Sequence, residues 1–308
     1  MSSITSLASV LLFVTPRWLH SYVKEIEDGP KQIESLEEVT VSRFTPRIHP
    51  REVEVSAEVN GYFLKHWPFP NDKVRRKFIA AGFSQVTCYY NPLALDDRIE
   101  LACRLLTLLF LIDVEWITHD LWRDMRKCDE ELANHILEPV FTFMRAQTDK
   151  SRLKIKELGR YLKYREGDVG QALLSALMRF CMKLHLSPEE LESVNELELN
   201  CAKHISVVND IYSWEKELKA SYEGHPEGSA VCSAVSVLSG ETSLSIVASK
   251  RVLWTMCREW ELVHDNLTKD RMQSMSYSKD LEAFMKGLEY QMSGNEAWSR
   301  LTPRYNNV

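Results

Sequence analysis

Glycine and proline are sparse, at 11 residues each in a chain of 308. Turn-rich β architectures need more of both, so a sandwich or barrel of strands is excluded. No excess of positive charge is present either: 38 lysines and arginines stand against 44 aspartates and glutamates, a net charge of −6. That balance argues against a nucleic-acid partner, which would require clustered cations. An anionic ligand would need a local device, such as metal ions or a few aimed arginines. The seven cysteines contain no C-x-x-C pair, so neither a zinc site nor a disulfide framework is expected. Unpaired thiols fit a reducing compartment, and the expected location is cytoplasmic. No apolar run approaches the roughly 20 residues that cross a bilayer, so no stable membrane insertion is expected. The short run from Leu7 to Val14 lacks the basic start of a signal peptide.

What the chain does contain is helical periodicity. Segments 53–65, 72–81 and 96–112 read as helices, the third almost wholly apolar at its end, and 115–128, 130–149, 152–164 and 170–184 follow as amphipathic ones. Ser187-Pro188-Glu189-Glu190 is a helix start, with a capping serine, proline at the first position and acids in the first turn. That helix is expected to run to Asn200, and another to cover 201–221. Gly224, Pro226 and Gly228 mark a loop, after which helices are expected over 230–238, 243–269 and 279–293, with a tail from Gly294. Residues 1–50, interrupted by Pro30, Pro46 and Pro50, form an N-terminal segment with no clear pattern. Residues 51–308 read as one all-α domain of about ten helices.

One of these helices carries the sharpest chemical signal. Asn209, Ser213 and Glu217 fall at i, i+4 and i+8, on one stripe. An amide oxygen, a hydroxyl and a carboxylate are hard ligands that suit Mg²⁺. Lys216, three residues after Ser213, could meet a phosphate that such an ion shares. A solvated polar face is the plainer reading of such a triple taken alone. Upstream, the apolar run Leu105 to Ile112 ends in Asp113, a carboxylate that is costly to bury without a cation. Asp96-Asp97-Arg98-Ile99-Glu100 fits D-D-x-x-E by letter. It opens its helix, where acids meet the dipole, and no apolar stripe precedes it. It is therefore not expected to hold metal.

The pattern N-D-x-x-S-x-x-K-E over Asn209 to Glu217 resembles the second metal-binding motif of class I terpene synthases, the terpene cyclases. Asp113 resembles the first acid of that family's D-D-x-x-E/D motif. Val114 stands where the second aspartate belongs and Ile117 where the later acid belongs, so the motif breaks off, as after a deletion. Glu115 and Asp120 are the nearby acids left to substitute. Tyr164-Arg165-Glu166-Gly167-Asp168-Val169-Gly170 resembles the family's diphosphate-sensing arginine with its following aspartate and glycine. Arg304-Tyr305 resembles its terminal arginine–tyrosine pair, and Gly294 to Trp298 with Thr302-Pro303 resembles fungal members.

The resemblance implies an α-helical barrel and a Mg²⁺-dependent cyclisation of a linear prenyl diphosphate, most simply farnesyl diphosphate. It implies metal ligation by Asp113, Asn209, Ser213 and Glu217 around a three-ion Mg²⁺ cluster, with Mn²⁺ as an alternative. Diphosphate binding would fall to Arg165, Asn209, Lys216, Arg304 and Tyr305, and Arg165, Lys216, Arg304 and Tyr305 would assist catalysis. The protein would be a monomer or homodimer. Phe83, Tyr89, Phe110, Tyr212, Trp298 and Tyr305 are candidates for walls facing a carbocation, although plain core packing is the better reading of each. Two other readings remain open. One is a catalytically impaired or aberrantly spliced homologue that binds prenyl diphosphate without turnover. The other is a chain-elongating prenyltransferase, which would carry two aspartate-rich motifs.

Overall fold

The computed structural model describes residues 41–111, 118–148, 154–222, 232–273 and 277–306. Asp113, Val114, Glu115 and Ile117, the run from Leu7 to Val14 and the loop at 223–228 lie outside the described residues. Among those described there are fourteen α-helices and no strand. No described helix is long and apolar enough to cross a membrane.

Helix α1 (Glu52–His66) and α2 (Asp72–Ala81) open the array, the second capped by Asn71, whose side chain accepts from Val74 N at 3.0 Å. The chain turns at Gly82 into α3 (Phe83–Tyr90), too short at eight residues for its period to stand out. Helix α4 begins at Ile99 and runs to Leu111. Asp96 and Asp97 precede it in an exposed turn instead of opening the helix as expected. Next come α5 (Thr118–Cys128) and α6 (Glu130–Thr148).

Helix α7 occupies Leu158–Asp168 rather than 152–164, so Arg165 and Asp168 ride on its last turn. Gly170 ends that region at φ 76, where a Cβ would also come within 2.8 Å of the Phe143 ring. Helix α8 (Gln171–Met182) follows.

Two further expectations are corrected. The helix begun at Ser187 is only α9 (Pro188–Ser193), and α10 then runs unbroken from Asn195 to Tyr222. Asn200, read as a boundary, is buried and donates to Trp260 O at 2.8 Å, so its polarity serves a tertiary tie. After α11 (Ala234–Thr242) and α12 (Ile246–Gln273), α13 covers Lys279–Leu301. The stretch read as a tail from Gly294 is therefore helical, and the short α14 (Pro303–Asn306) completes it.

Helix α10 is the spine, packed along α12, α13 and α7. Ile205 and Cys201 point into the larger apolar core with α3, α4, α8 and α13. Val207, Val208 and Trp214 point into a smaller core with α7, α11 and α12. Before α1, residues 42–44 strap the chain to α12. Ser42 Oγ and Arg43 N each donate to Glu261 at 2.9 Å, and Phe44 meets the His264 ring edge-on at 5.7 Å.

Candidate active site

The stripe expected on α10 faces a cavity. Asn209, Ser213, Lys216 and Glu217 all line it, together with Arg165 from α7 and Arg304 and Tyr305 from α14. Seven of the eight residues singled out in the sequence thus meet in one place. The eighth, Asp113, lies outside the described residues, although Leu106, Leu109 and Phe110 on the run leading to it form part of the cavity wall.

Arg165 is held on several sides. It pairs with Asp168 one turn on, donates to Asp210 Oδ1 at 3.0 Å, and reaches Asn209 Oδ1 at 3.3 Å. Burial works against its charge, but Asp210, Tyr161 and Asp168 outweigh it and hold its pKa above the usual arginine value. The Asn209 amide nitrogen donates to Tyr305 Oη at 2.8 Å, joining α10 to α14. Arg304 lies over the Phe83 and Phe110 rings, 5.6 and 5.7 Å from their centroids, and those rings stack on each other at 4.6 Å.

Burial, with Asp210 nearby, pushes the Glu217 carboxyl above its usual range. Ser213 Oγ is buried with no hydrogen-bond partner. An orphaned hydroxyl, a desolvated carboxyl and an amide oxygen on one stripe form a donor set that a hard divalent cation would satisfy. The residues present therefore fit a metal. A second group of potential ligands, His204, Glu261 and Glu296, brings its donor atoms within 4.8 Å of one another. There Arg258 already donates to both carboxylates, so this cluster has its own cation.

Of the aromatic candidates, Phe110, Trp298 and Tyr305 line the cavity, and Phe83 backs Phe110. Tyr89 and Tyr212 are not among the lining residues. Several lining residues escaped the sequence reading. Tyr90 donates to Asn295 Oδ1 at 2.8 Å, both lining the cavity, and Gln147 donates to the Asp168 carboxylate at 3.1 Å. They come from separate helices and share no motif. Asp210 was missed too, although it stands beside Asn209. About 100° of helix turn points it at α7 instead of the cavity.

Helices ringing a cavity, with oxygen donors on one wall and arginines on another, are the architecture of a class I terpenoid synthase. Residues 110–261 match the family described as "Terpene synthase family 2, C-terminal metal binding". A (+)-aristolochene synthase of Penicillium expansum is 52% identical, over 89% of this chain and 92% of its own length. An aristolochene synthase of Aspergillus terreus is 51% identical, over 91% of this chain and 98% of its own. The crystal structure of aristolochene synthase from Penicillium roqueforti superposes with a TM-score of 0.78 at 52% identity, covering 85% of this chain and 99% of that one. The chain belongs to the terpene synthase family and has its all-α fold.

The Penicillium expansum match runs over 306 positions and takes in 89% of this chain, so some positions of that relative have no counterpart here.

Proposed function

We propose that this protein is a metal-dependent sesquiterpene cyclase that converts farnesyl diphosphate to a cyclic terpene and releases diphosphate. The observation that carries the reading is the convergence of Asn209, Ser213 and Glu217 with Arg165, Lys216, Arg304 and Tyr305 on one cavity. The aristolochene synthases among its relatives support the fifteen-carbon substrate.

Asn209, Ser213 and Glu217 would hold the metal, taken as Mg²⁺ in a three-ion cluster, with Asp113 as the further ligand that the family resemblance implies. Bound divalent ions supply the positive charge that stabilises a departing diphosphate. Arg165, Lys216, Arg304 and the Tyr305 hydroxyl bind and orient that group, and donors fixed before the reaction cost little reorganisation when charge develops. Arg304 rests on the Phe83–Phe110 stack, which holds its guanidinium where the apolar and polar walls meet. Leu106, Leu109, Phe110, Leu173, Leu174 and Trp298 line the cavity and exclude water from the allylic cation left behind. The π faces of Phe110 and Trp298 favour positive charge over neutral solvent. The protein is taken as a cytoplasmic monomer or homodimer.

The break after Asp113 favours a second reading, a homologue that binds prenyl diphosphate without turnover. One experiment separates the two. Purified protein is incubated with farnesyl and geranylgeranyl diphosphate, with Mg²⁺ or with chelator, and products are analysed by gas chromatography with mass detection. A cyclic fifteen-carbon product that appears with Mg²⁺ and disappears with chelator is expected. Diphosphate binding by a folded protein with no product from either substrate would leave the second reading standing.

A further inference from the structure

Arg165 owes its position to a chain of buried groups that stand behind it and away from the cavity. Its same-helix partner Asp168 cannot fix it relative to α10, because both residues belong to the last turn of α7. Two residues of α10 meet it: Asn209, whose Oδ1 lies 3.3 Å away and which lines the cavity, and the closer Asp210, a charged partner that is 3% exposed. The two oxygens of that carboxylate are divided. Oδ2 accepts from Tyr161 Oη and from Ala234 N, each at 2.7 Å. Oδ1 faces Arg165 Nη2 at 3.0 Å. Two donors on one oxygen fix the rotation of the carboxylate and leave the other oxygen aimed at the guanidinium. Ala234 is the first residue of α11, so its N–H has no partner within its own helix and is free to serve this contact. Tyr161 lies one turn before Arg165 on α7, is 1% exposed, and does not line the cavity.

We propose that Tyr161 and Asp210 are positioning residues for diphosphate recognition, Tyr161 fixing the Asp210 carboxylate and Asp210 fixing Arg165 toward the cavity. This rests on the reading of Arg165 as a diphosphate-binding residue. An arginine grips phosphate through two parallel N–H donors, so its value depends on the plane of its fork. With Tyr161 removed, the carboxylate keeps only the Ala234 N–H on Oδ2 and turns more freely. Arg165 then keeps its charge and loses its fixed orientation.

The test uses Tyr161→Phe, which preserves the shape of the ring, and inorganic diphosphate as the probe. Binding is measured by isothermal titration calorimetry in excess Mg²⁺, with thermal unfolding as a control. The Kd for inorganic diphosphate should rise about tenfold, as expected for the loss of one hydrogen bond to a charged group. The KM for farnesyl diphosphate should rise with it, more than kcat falls. The same substitution in an Arg165→Met background should leave diphosphate binding unchanged, because the group being positioned is gone. Asp210→Asn is the second variant and carries the test if Tyr161→Phe does not fold. It should weaken diphosphate binding in the wild-type background and not in Arg165→Met. Equal loss in both backgrounds would mean a general structural role and would overturn the proposal, as would wild-type affinity in Tyr161→Phe. If Arg165→Met binds diphosphate as well as the unmodified protein does, the reading of Arg165 fails and this inference fails with it.

Discussion

Replacing Gly294 by alanine should destabilise the protein, although alanine is the better helix former. Gly294 lies inside α13 where that helix crosses α3, and an added Cβ would fall 2.5 Å from the Tyr89 carbonyl oxygen and 2.8 Å from its carbon. Both are backbone atoms, so no side-chain rotation relieves the contact. Carbon and oxygen approach comfortably at roughly 3.3–3.6 Å, so α3 and α13 would have to separate by roughly 1 Å. Alanine over glycine in a helix interior gains about 1 kcal/mol. Overpacking of a well-filled contact costs about 1–3 kcal/mol, and a backbone neighbour puts this site at the upper end. The clash wins, and a net loss of about 1–2 kcal/mol is expected, read as a Tm lower by about 1.5–3 °C. Gly61 is the control. It lies exposed in the middle of α1 with nothing within 4 Å of an added Cβ, so Gly61→Ala should stabilise by about 0.5–1 kcal/mol. At Gly287 the added methyl meets the Met178 side chain, which can turn aside, so Gly287→Ala should cost less than Gly294→Ala. Differential scanning calorimetry of the three variants ranks them. A Gly294→Ala protein as stable as its parent would refute the argument that the α3–α13 contact is rigid.

Ser213→Ala and Glu217→Ala should each abolish Mg²⁺-dependent product formation while leaving the Tm near that of the parent; undiminished turnover in both would remove the metal assignment from α10. Stability should fall on acidification. Burial, opposed by the Met285 carbonyl, lowers the His264 pKa from 6.5 to about 4, so the unfolded chain takes up a proton there before the folded one does. That contribution, about 3 kcal/mol, is complete above pH 6.5 and is lost as the pH falls toward 4. Burial works to raise the Glu261 carboxyl, but His204, the Arg43 N–H and Arg258 outweigh it and draw the pKa down to about 2, so its share is lost between about 4.5 and 2. Unfolding curves between pH 7 and about pH 2 check this, and His264→Gln should flatten the upper part of the profile. Arg258→Met should cost about 3 kcal/mol by removing the buried cation that Glu261 and Glu296 share and leaving Glu296 only the exposed Arg300, which urea denaturation would measure.

The parts of the site that could be read in the sequence are those confined to one helix. Spacing alone puts Asn209, Ser213 and Glu217 on one face, because three points on one stripe must face the same way, and resemblance distinguished that face from a solvated one. Arg165 and Arg304-Tyr305 carry no spacing signal and were found only through resemblance. Contacts between distant residues left no trace. Tyr90 and Asn295 are 205 positions apart and Tyr161 and Asp210 are 49 apart, and nothing local in either pair marks a partner. Helix boundaries failed for related reasons. Gly294 looks like a terminator and is a crossing point, while Asn200 looks like a helix end and is a tether. Both roles are set by neighbours that only the fold supplies.

The strap at 42–44 has a practical consequence for anyone shortening this chain. A version begun at Glu52 would retain all fourteen described helices and so look complete by helix content. It would nevertheless remove Ser42 and the Arg43 N–H from Glu261, and Phe44 from the face of His264. Water would then reach a carboxylate that is 1% exposed in the intact protein, at the junction of α10, α12 and α13. Any shortening therefore has to leave Ser42, Arg43 and Phe44 in place, and the first described helix is not the edge of the described body.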